Sequence, residues 1–454
     1  MRSSRNLQES AIRSILASLI ERIRFSFWFI PALLAVAAIL LSILTVRLDE
    51  ALSTSSGFSG PLGDWLYSGS AQGAGSVLTT IASSMITIAG VVFSMTLVAL
   101  TLASSQFGPR LLRNFMGDRS TQVVLGTFVA TFLFCLLVLR TILHGEDDPF
   151  VPHLSVTVAV LLAVIDMGVL IHFIHHVALS IQGDRIIART GRELISAVER
   201  LVPEPGQAAN PRDEQLDIEN NGADQAAALK GQHAARSRTD GYLQFIDEDG
   251  LLRSAAEQDA VVRLLLRPGQ YAARGSRLAV LDCPEDKREQ MEKAVQAALS
   301  LDYQPSSAQD VEHGMRQLVE VALRALSPGV NEPFTAVHCL DRLGSALCLL
   351  AGRDLPAERL RYMDGQLRLI LPAADFGELC SLAFDQIRLN LRGDLRLCLH
   401  MLATLGLVLD AVDAAGRREV LRQHVRLVRQ AAGRDLSDEA DLQRVENACT
   451  ELEQ

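Results

Sequence analysis

No run of basic residues with interleaved aromatics occurs in the chain, and its formal net charge is -10. A nucleic-acid binder needs a basic surface to replace the counterions of phosphate, so no nucleic-acid partner is expected. A C-x-x-C pair is also missing: Cys135, Cys283, Cys339, Cys348, Cys380, Cys398 and Cys449 are seven in number and scattered. An odd, dispersed set gives neither a disulfide framework nor a structural zinc site, and fits a reducing compartment.

What is present is segregated. Mean hydropathy is positive although 21% of the 454 residues are charged, and the long apolar runs all precede Ser180. About 20 apolar residues are needed to cross a hydrocarbon core as a helix. Four runs meet this: Phe27 to Val46, Val77 to Ala103, Val123 to Leu139 and Leu154 to Leu179. The first is too long for the apolar core of a signal peptide and has no small-residue cleavage site after it, so it reads as an uncleaved anchor.

Basic residues that stay inside orient the spans. Arg2, Arg5, Arg13, Arg22 and Arg24 precede the first, Arg110, Arg113 and Arg119 separate the second from the third, and Arg185, Arg189 and Arg192 follow the fourth. The other two loops carry Asp49, Glu50 and Asp64, then Glu146, Asp147 and Asp148, with Arg47 and Arg140 at their edges. Both termini are therefore expected in the cytoplasm of a bacterium, with the spans in its inner membrane. Within residues 1–26, Ile12, Ile15, Leu16, Leu19, Ile20 and Ile23 recur at helical spacing, which suits an amphipathic helix at the interface or packed on the soluble region.

The first and third spans read as ordinary lipid-facing helices, and the second and fourth carry polar groups. In the second, Thr80, Ser83, Thr87, Gly90, Ser94 and Thr101 repeat about every 3.5 residues and line one face. Small hydroxyl residues in a row let helices approach closely, or line a water-filled path around a symmetry axis. In the fourth, Asp166 lies near mid-bilayer, where a carboxylate needs a partner or an ion to hold. His172, His175 and His176 follow on one side of that helix as interfacial groups or possible metal ligands. At about 100° per residue His175 lies opposite Asp166, which is not expected to join them.

SSQFGPRLLRNFMGDRSTQVVLGTF, RPGQYAARGSRLAVL and SPGVNEPFTAVHCLDRL occur in this order along the chain. On these segments the chain resembles a family of bacterial predicted membrane proteins, domain of unknown function 2254. The resemblance implies four spans and a cytoplasmic C-terminal region, and it brings no activity and no residue roles.

Residues 180–202 read as a juxtamembrane helix, and 203–240, rich in Pro, Asn, Gln, Ala and Asp, as a linker or mobile loop. Residues 241–283 carry short strand patterns with a DEDG turn and Arg267-Pro268-Gly269 and Arg274-Gly275 turn signals, giving a small β-barrel or sandwich. Their rhythm resembles lipoyl-like modules, but no lysine stands at a hairpin tip. Residues 284–454 read as a mainly helical domain with a hairpin near 360–371, and Asn331, Glu332 and Pro333 as a capped helix start.

Asp310, His313 and Arg316 on one helix, with Asn331 and Glu332 downstream, supply acid–base side chains. They come without a nucleophile, metal-ligand spacing or a phosphate loop, so a hinge or subunit contact is favoured over an active site, and no cofactor is expected. The sequence therefore predicts an α-helical membrane protein with four transmembrane helices and a cytoplasmic α+β region. Its expected partners are the lipid bilayer and further copies of itself. The function it points to is a homo-oligomeric channel or transporter-like protein, with a membrane-anchored scaffold or sensor as the alternative.

Overall fold

The structure, a computed structural model, describes residues 28–54, 69–107, 119–143, 151–180, 183–202, 204, 233–303 and 309–454. The amphipathic segment 1–26, the loop 108–118 and most of the linker lie outside the described residues. The chain divides into two compact units, one of Glu21–Arg185 and one built on Ile186–Gln454.

Among the described residues the first unit holds four helices: α1 (Phe29–Thr54), α2 (Ala71–Phe107), α3 (Arg119–Leu143) and α4 (His153–Ser180). Long runs of Leu, Ala, Val and Ile favour helix in an apolar medium, where each backbone group must bond within its own segment. Pro31 falls in the first turn of α1, where a missing N–H costs nothing. At 37 residues, α2 is about 55 Å long and outruns a bilayer core.

The third helix is not lipid-facing as its sequence suggests. Half of its apolar window is buried (50%), against 17–22% for α1, α2 and α4, and all three of those pack on it. Phe128, Phe134, Cys135 and Val138 are inaccessible. Hydropathy misses this because lipid and a neighbouring helix are equally apolar. Gly126 permits the close approach of α1: a Cβ there would lie 2.7 Å from Leu34 and 3.0 Å from the Pro31 backbone.

The division falls within the first turn of α5 (Gly183–Leu201), and the second unit continues through β1 (His233–Arg236), β2 (Gly241–Ile246), α6 (Glu248–Glu257), β3 (Val261–Leu264), β4 (Tyr271–Ala272), β5 (Arg277–Asp282), α7 (Arg288–Ala298) and β6 (Leu299–Asp302). Then come α8 (Val311–Ala325), α9 (Pro333–Ala351), the β7 (Glu358–Met363) and β8 (Gln366–Pro372) hairpin, and α10 (Phe376–Arg388), α11 (Leu395–Asp410), α12 (Ala415–Asp435) and α13 (Glu439–Glu453).

Neither a barrel nor a self-contained sandwich forms at 241–283. One sheet has the order β1-β5-β3-β8-β7 and a second β4-β2-β6. β3 runs parallel to β8, with Val262 opposite Leu369, so a strand from beyond residue 360 completes the sheet. The expected linker also ends earlier, since His233–Arg236 is a strand paired with β5. DEDG opens α6 and is not a turn between strands: Asp247 caps it by accepting from Gly250 N at 3.0 Å, and Glu248 and Asp249 sit at the positive end of its dipole. Both sheets share a core with α6 and α7, around Leu243, Leu251, Val262, Leu278, Met291 and Leu369.

Asn331 is not a side-chain cap. It adopts φ +51°, a left-handed conformation that asparagine tolerates, and Glu332 takes the cap position of α9, its side chain accepting from Thr335 Oγ1 (3.3 Å) and from no helix amide. Among the described residues, five helices are long and apolar enough to cross a membrane by length and composition: α1 to α4, and α9.

Candidate functional site

On α2 the 3.6-residue period separates two faces. Ala74, Leu78, Ala82, Met85, Ala89 and Val92 are buried. Thr80, Ser83, Thr87, Gly90, Ser94 and Thr101 are exposed. Their donors bond to their own helix: Thr80 Oγ1 to Ser76 O (2.8 Å), Ser83 Oγ to Thr79 O (2.8 Å), Thr87 Oγ1 to Ser83 O (2.7 Å) and Thr101 Oγ1 to Leu97 O (2.8 Å). A Cβ on Gly90 would meet nothing within 4 Å. By contrast, α1 exposes Leu33, Val36, Leu40, Ile43 and Leu44, and α4 exposes Leu161, Val164, Ile165, Met167 and Ile171. These are lipid-type surfaces; α2 exposes Ile86, Val91, Phe93, Leu97 and Val98 as well, and its hydroxyl strip runs among them.

Asp166 is buried in α4 at 2% exposure. Its hydrogen-bond partner is Thr131 of α3, equally buried, and not the hydroxyl face of α2. The Oδ2 atom has no hydrogen-bond partner. His172 and His176 stack loosely, ring centres 6.1 Å apart, while His172 and His175 are exposed. No group of three possible metal ligands exists among the described residues.

A further polar site in this unit has no local sequence signal. Asp49, read from the sequence as a loop charge, is buried near the end of α1. Its carboxylate accepts from Leu154 N (2.8 Å), Ser155 N (2.9 Å) and Ser155 Oγ (2.7 Å). It thus caps α4 from another helix, satisfying amides that would otherwise be orphaned at the positive end of the dipole.

In the second unit Asp310 and Arg316 do meet, with Arg316 Nη1 3.2 Å from Asp310 Oδ2 and Nη2 3.1 Å from Glu312 Oε2. Arg267, read from the sequence only as a turn signal, grips Glu312 with Nε (3.1 Å) and Nη2 (3.0 Å). Its Nη1 reaches Glu378 Oε2 (2.8 Å) and Ala373 O (3.3 Å). The β3–β4 turn, α8 and α10 are thereby tied through one ionic network. Gly269, at φ +88°, has no room for a side chain: a Cβ would overlap the Asp310 carboxylate. His313 contacts Gln317 at 3.1 Å. Asn331 and Glu332 lie beyond the far end of α8, where Glu332 N bonds Ala325 O at 2.8 Å, so the five residues do not converge.

Burial pushes the Asp310 carboxyl up to about 6; Arg316 opposes the shift and Glu312 adds to it. A folded value raised above the unfolded one gives a contribution that is fully present below about 4 and is lost as pH rises through about 6. The Asp310→Asn variant should therefore gain on the parent protein between those limits, by up to about 3 kcal/mol. Denaturant midpoints of both proteins at several pH values check this, and parallel curves would refute it.

The arrangement so described is an apolar four-helix unit with a strip of hydroxyl groups on one outer face, joined in sequence to an α+β unit. A family model described as "Predicted membrane protein (DUF2254)" matches residues 24–406. The chain belongs to this family. The DUF2254 match runs from before α1 into α11 and so takes in both units. Uncharacterized proteins of Mycobacterium bovis and Mycobacterium tuberculosis are 32% identical over 389 residues, covering 84% of this chain and 73% of theirs. No solved structure is matched.

Proposed function

We propose that α1 to α4 are the four transmembrane spans of a bacterial inner-membrane protein with both termini in the cytoplasm. Copies associate along α2 into a channel or transporter-like assembly, which the Ile186–Gln454 unit holds together or gates. The observation that carries this reading is the exposed hydroxyl and glycine face of α2, beside two helices whose outer faces are hydrocarbon. A polar strip facing lipid gains nothing, whereas against a second copy or a water-filled axis it permits close approach or lines a path. The fifth apolar helix, α9, is assigned to the soluble unit: it carries Asp341 and Arg342 and buries Leu340, Leu343, Leu347 and Leu350 within that unit.

In this reading Thr87→Leu and Ser94→Leu leave folding intact and cut solute or ion flux in proteoliposomes by an order of magnitude. Wild-type vesicles that pass nothing under any gradient, voltage or stretch would overturn it. One observation favours the scaffold or sensor reading instead. The hydroxyl donors of Thr80, Ser83, Thr87 and Thr101 are all satisfied within α2, which suits simple packing. Leucine at position 87 or 94 then disturbs assembly, read by cross-linking, and there is no transport to lose.

A further inference from the structure

The inward seam of α4 runs through Ala159, Leu162, Asp166, Val169 and Phe173, at the three- and four-residue spacing of one helix face. Four of these are apolar, and the other is a carboxyl at 2% exposure. It marks a boundary. Ala159 and Leu162 pack with Phe134, Cys135 and Val138 of α3 in one apolar cluster, and Val169 and Phe173 pack with Val124 and Phe128 in another. Thr131 falls between these two sets on α3 as Asp166 does on α4, and the pair occupies the break.

On α2 the two clusters meet between Ala82 and Met85, and Ser83 of the exposed hydroxyl strip stands in that interval. Residue numbers rise along α2 as they fall along α3 through the clusters, so the two helices are antiparallel. A Cβ on Gly75 would lie 3.8 Å from Leu139. From there about 12 Å along each helix leads to Ser83 on α2 and Thr131 on α3. The buried carboxyl and the hydroxyl strip therefore share one level of the helical unit.

Among the described residues no cation pairs with Asp166. Helix α2 has no ionisable side chain. On α3 the titratable group facing Asp166 is Cys135, an inaccessible thiol within electrostatic range of the carboxyl; Arg119 and Arg140 lie about 18 and 14 Å from Thr131 along that helix. On α1, Arg47, Asp49 and Glu50 are at the end that meets Ser155, about 16 Å from Asp166 along α4. On α4 itself His153 is about 20 Å away and His172, the first of the three histidines, about 9 Å. At 2% exposure neither lipid nor a second copy can bring a cation to Asp166.

A carboxylate so enclosed is unfavourable unless it takes up a cation. A metal ion needs several ligands, and no group of three possible ones exists among the described residues. A proton needs one lone pair. Thr131 serves one carboxyl oxygen, and Oδ2 has no protein partner. An acid kept only to tie two helices would donate its O–H to an acceptor. This one does not, which suits a group that must give its proton up.

We propose that Asp166 is a proton-binding site and that the ion moved by the helical unit is H+, loaded and released at Asp166 Oδ2. In the closed arrangement described above the acid holds its proton. When α3 and α4 part far enough to admit water at the level of the hydroxyl strip, the Oδ2–H bond breaks. Its electron pair stays on the carboxylate and the proton passes to a water oxygen. The proposal deepens the channel or transporter reading and rests on it, and its test separates the two.

Full-length protein is reconstituted in liposomes loaded with potassium and the pH dye pyranine, and valinomycin sets an inside-negative potential that draws protons inward. Wild type should acidify the lumen, and Asp166→Asn, close in shape but unable to ionise, should be at least tenfold slower. Infrared spectra of both proteins in lipid at neutral pH should show a carboxylic C=O band that moves in D2O and is lost in Asp166→Asn. Should that variant fold poorly, dicyclohexylcarbodiimide, an apolar reagent that adds to protonated carboxyls, is applied to wild type and should label Asp166 and stop the uptake.

Equal proton uptake by wild type and Asp166→Asn, or full uptake by the labelled protein, overturns Asp166 as the site. Wild-type liposomes that pass other ions or solutes but no protons overturn H+ as the ion moved and leave the channel reading standing. Liposomes that pass nothing overturn the transport reading, and the infrared band then decides the binding site by itself: loss of the band in Asp166→Asn sustains it, and spectra that match overturn it.

Discussion

Replacing Arg267 by alanine is expected to destabilise the second unit by about 3 kcal/mol, the low end of the cost of breaking a buried ion pair, because Glu312 keeps Arg316 and Glu378 is half-exposed. Glu312 would lose both bonds of a bidentate pair, and Glu378 and Ala373 O would lose their donor. The Glu312 side chain is only 10% exposed, so water would replace little of what was removed. Arg316 would remain against two acids, Asp310 and Glu312. Lysine should restore only part of the loss, because an ammonium cannot fork onto one carboxylate while also holding a second. Glu312→Gln in the same chain should recover some stability by removing the stranded charge, and a double-mutant cycle would measure that coupling. Chemical denaturation provides the readout. An unchanged midpoint for Arg267→Ala would show that the network is not a structural tie.

Asp49→Ala should cost the helical unit about 2 to 3 kcal/mol, the range of a lost helix cap and of hydrogen bonds to a charged acceptor. Three bonds end on this one carboxylate, two from amides at the start of α4 and one from a buried hydroxyl. Without it the donors of fully buried Ser155 lose their acceptor, while the half-buried Leu154 amide is less affected. Asparagine keeps an acceptor oxygen and loses the charge that favours the helix dipole, so its effect should be about half. Thermal unfolding in detergent, followed by circular dichroism, gives the comparison. Equal midpoints for wild type and Asp49→Ala would mean that the cap contributes nothing.

These two residues show where sequence reading ends. The helices α1 to α4 are legible because an unbroken apolar run is a local property that lipid and protein interiors both demand. The two faces of α2 are legible for the same reason, through the 3.6-residue period. Asp49 is not: its partner Ser155 is 106 residues away, and nothing near it in sequence distinguishes a cap from a loop charge. Arg267 was visible as part of Arg-Pro-Gly, yet its carboxylates come from α8 and α10, which a turn signal says nothing about. Asp310 and Arg316 lie on one helical stretch and could be paired by spacing. Asn331 and Glu332 sit next in the chain but at the other end of α8, because a helix carries its two ends apart. The hub role of α3 was hidden by the likeness of lipid tails to leucine.

The parallel pairing of β3 with β8 also sets a timetable for synthesis. Val262 waits for Leu369, more than one hundred residues later, or about 5 to 20 seconds at ordinary rates of translation. During that interval β3 has an open edge, and the hydrophobic surface later covered by Leu369 and Leu371 is bare. A fragment cut near residue 284 keeps that edge and core face exposed for good, so the boundary that composition suggests is not a place where the protein can be divided.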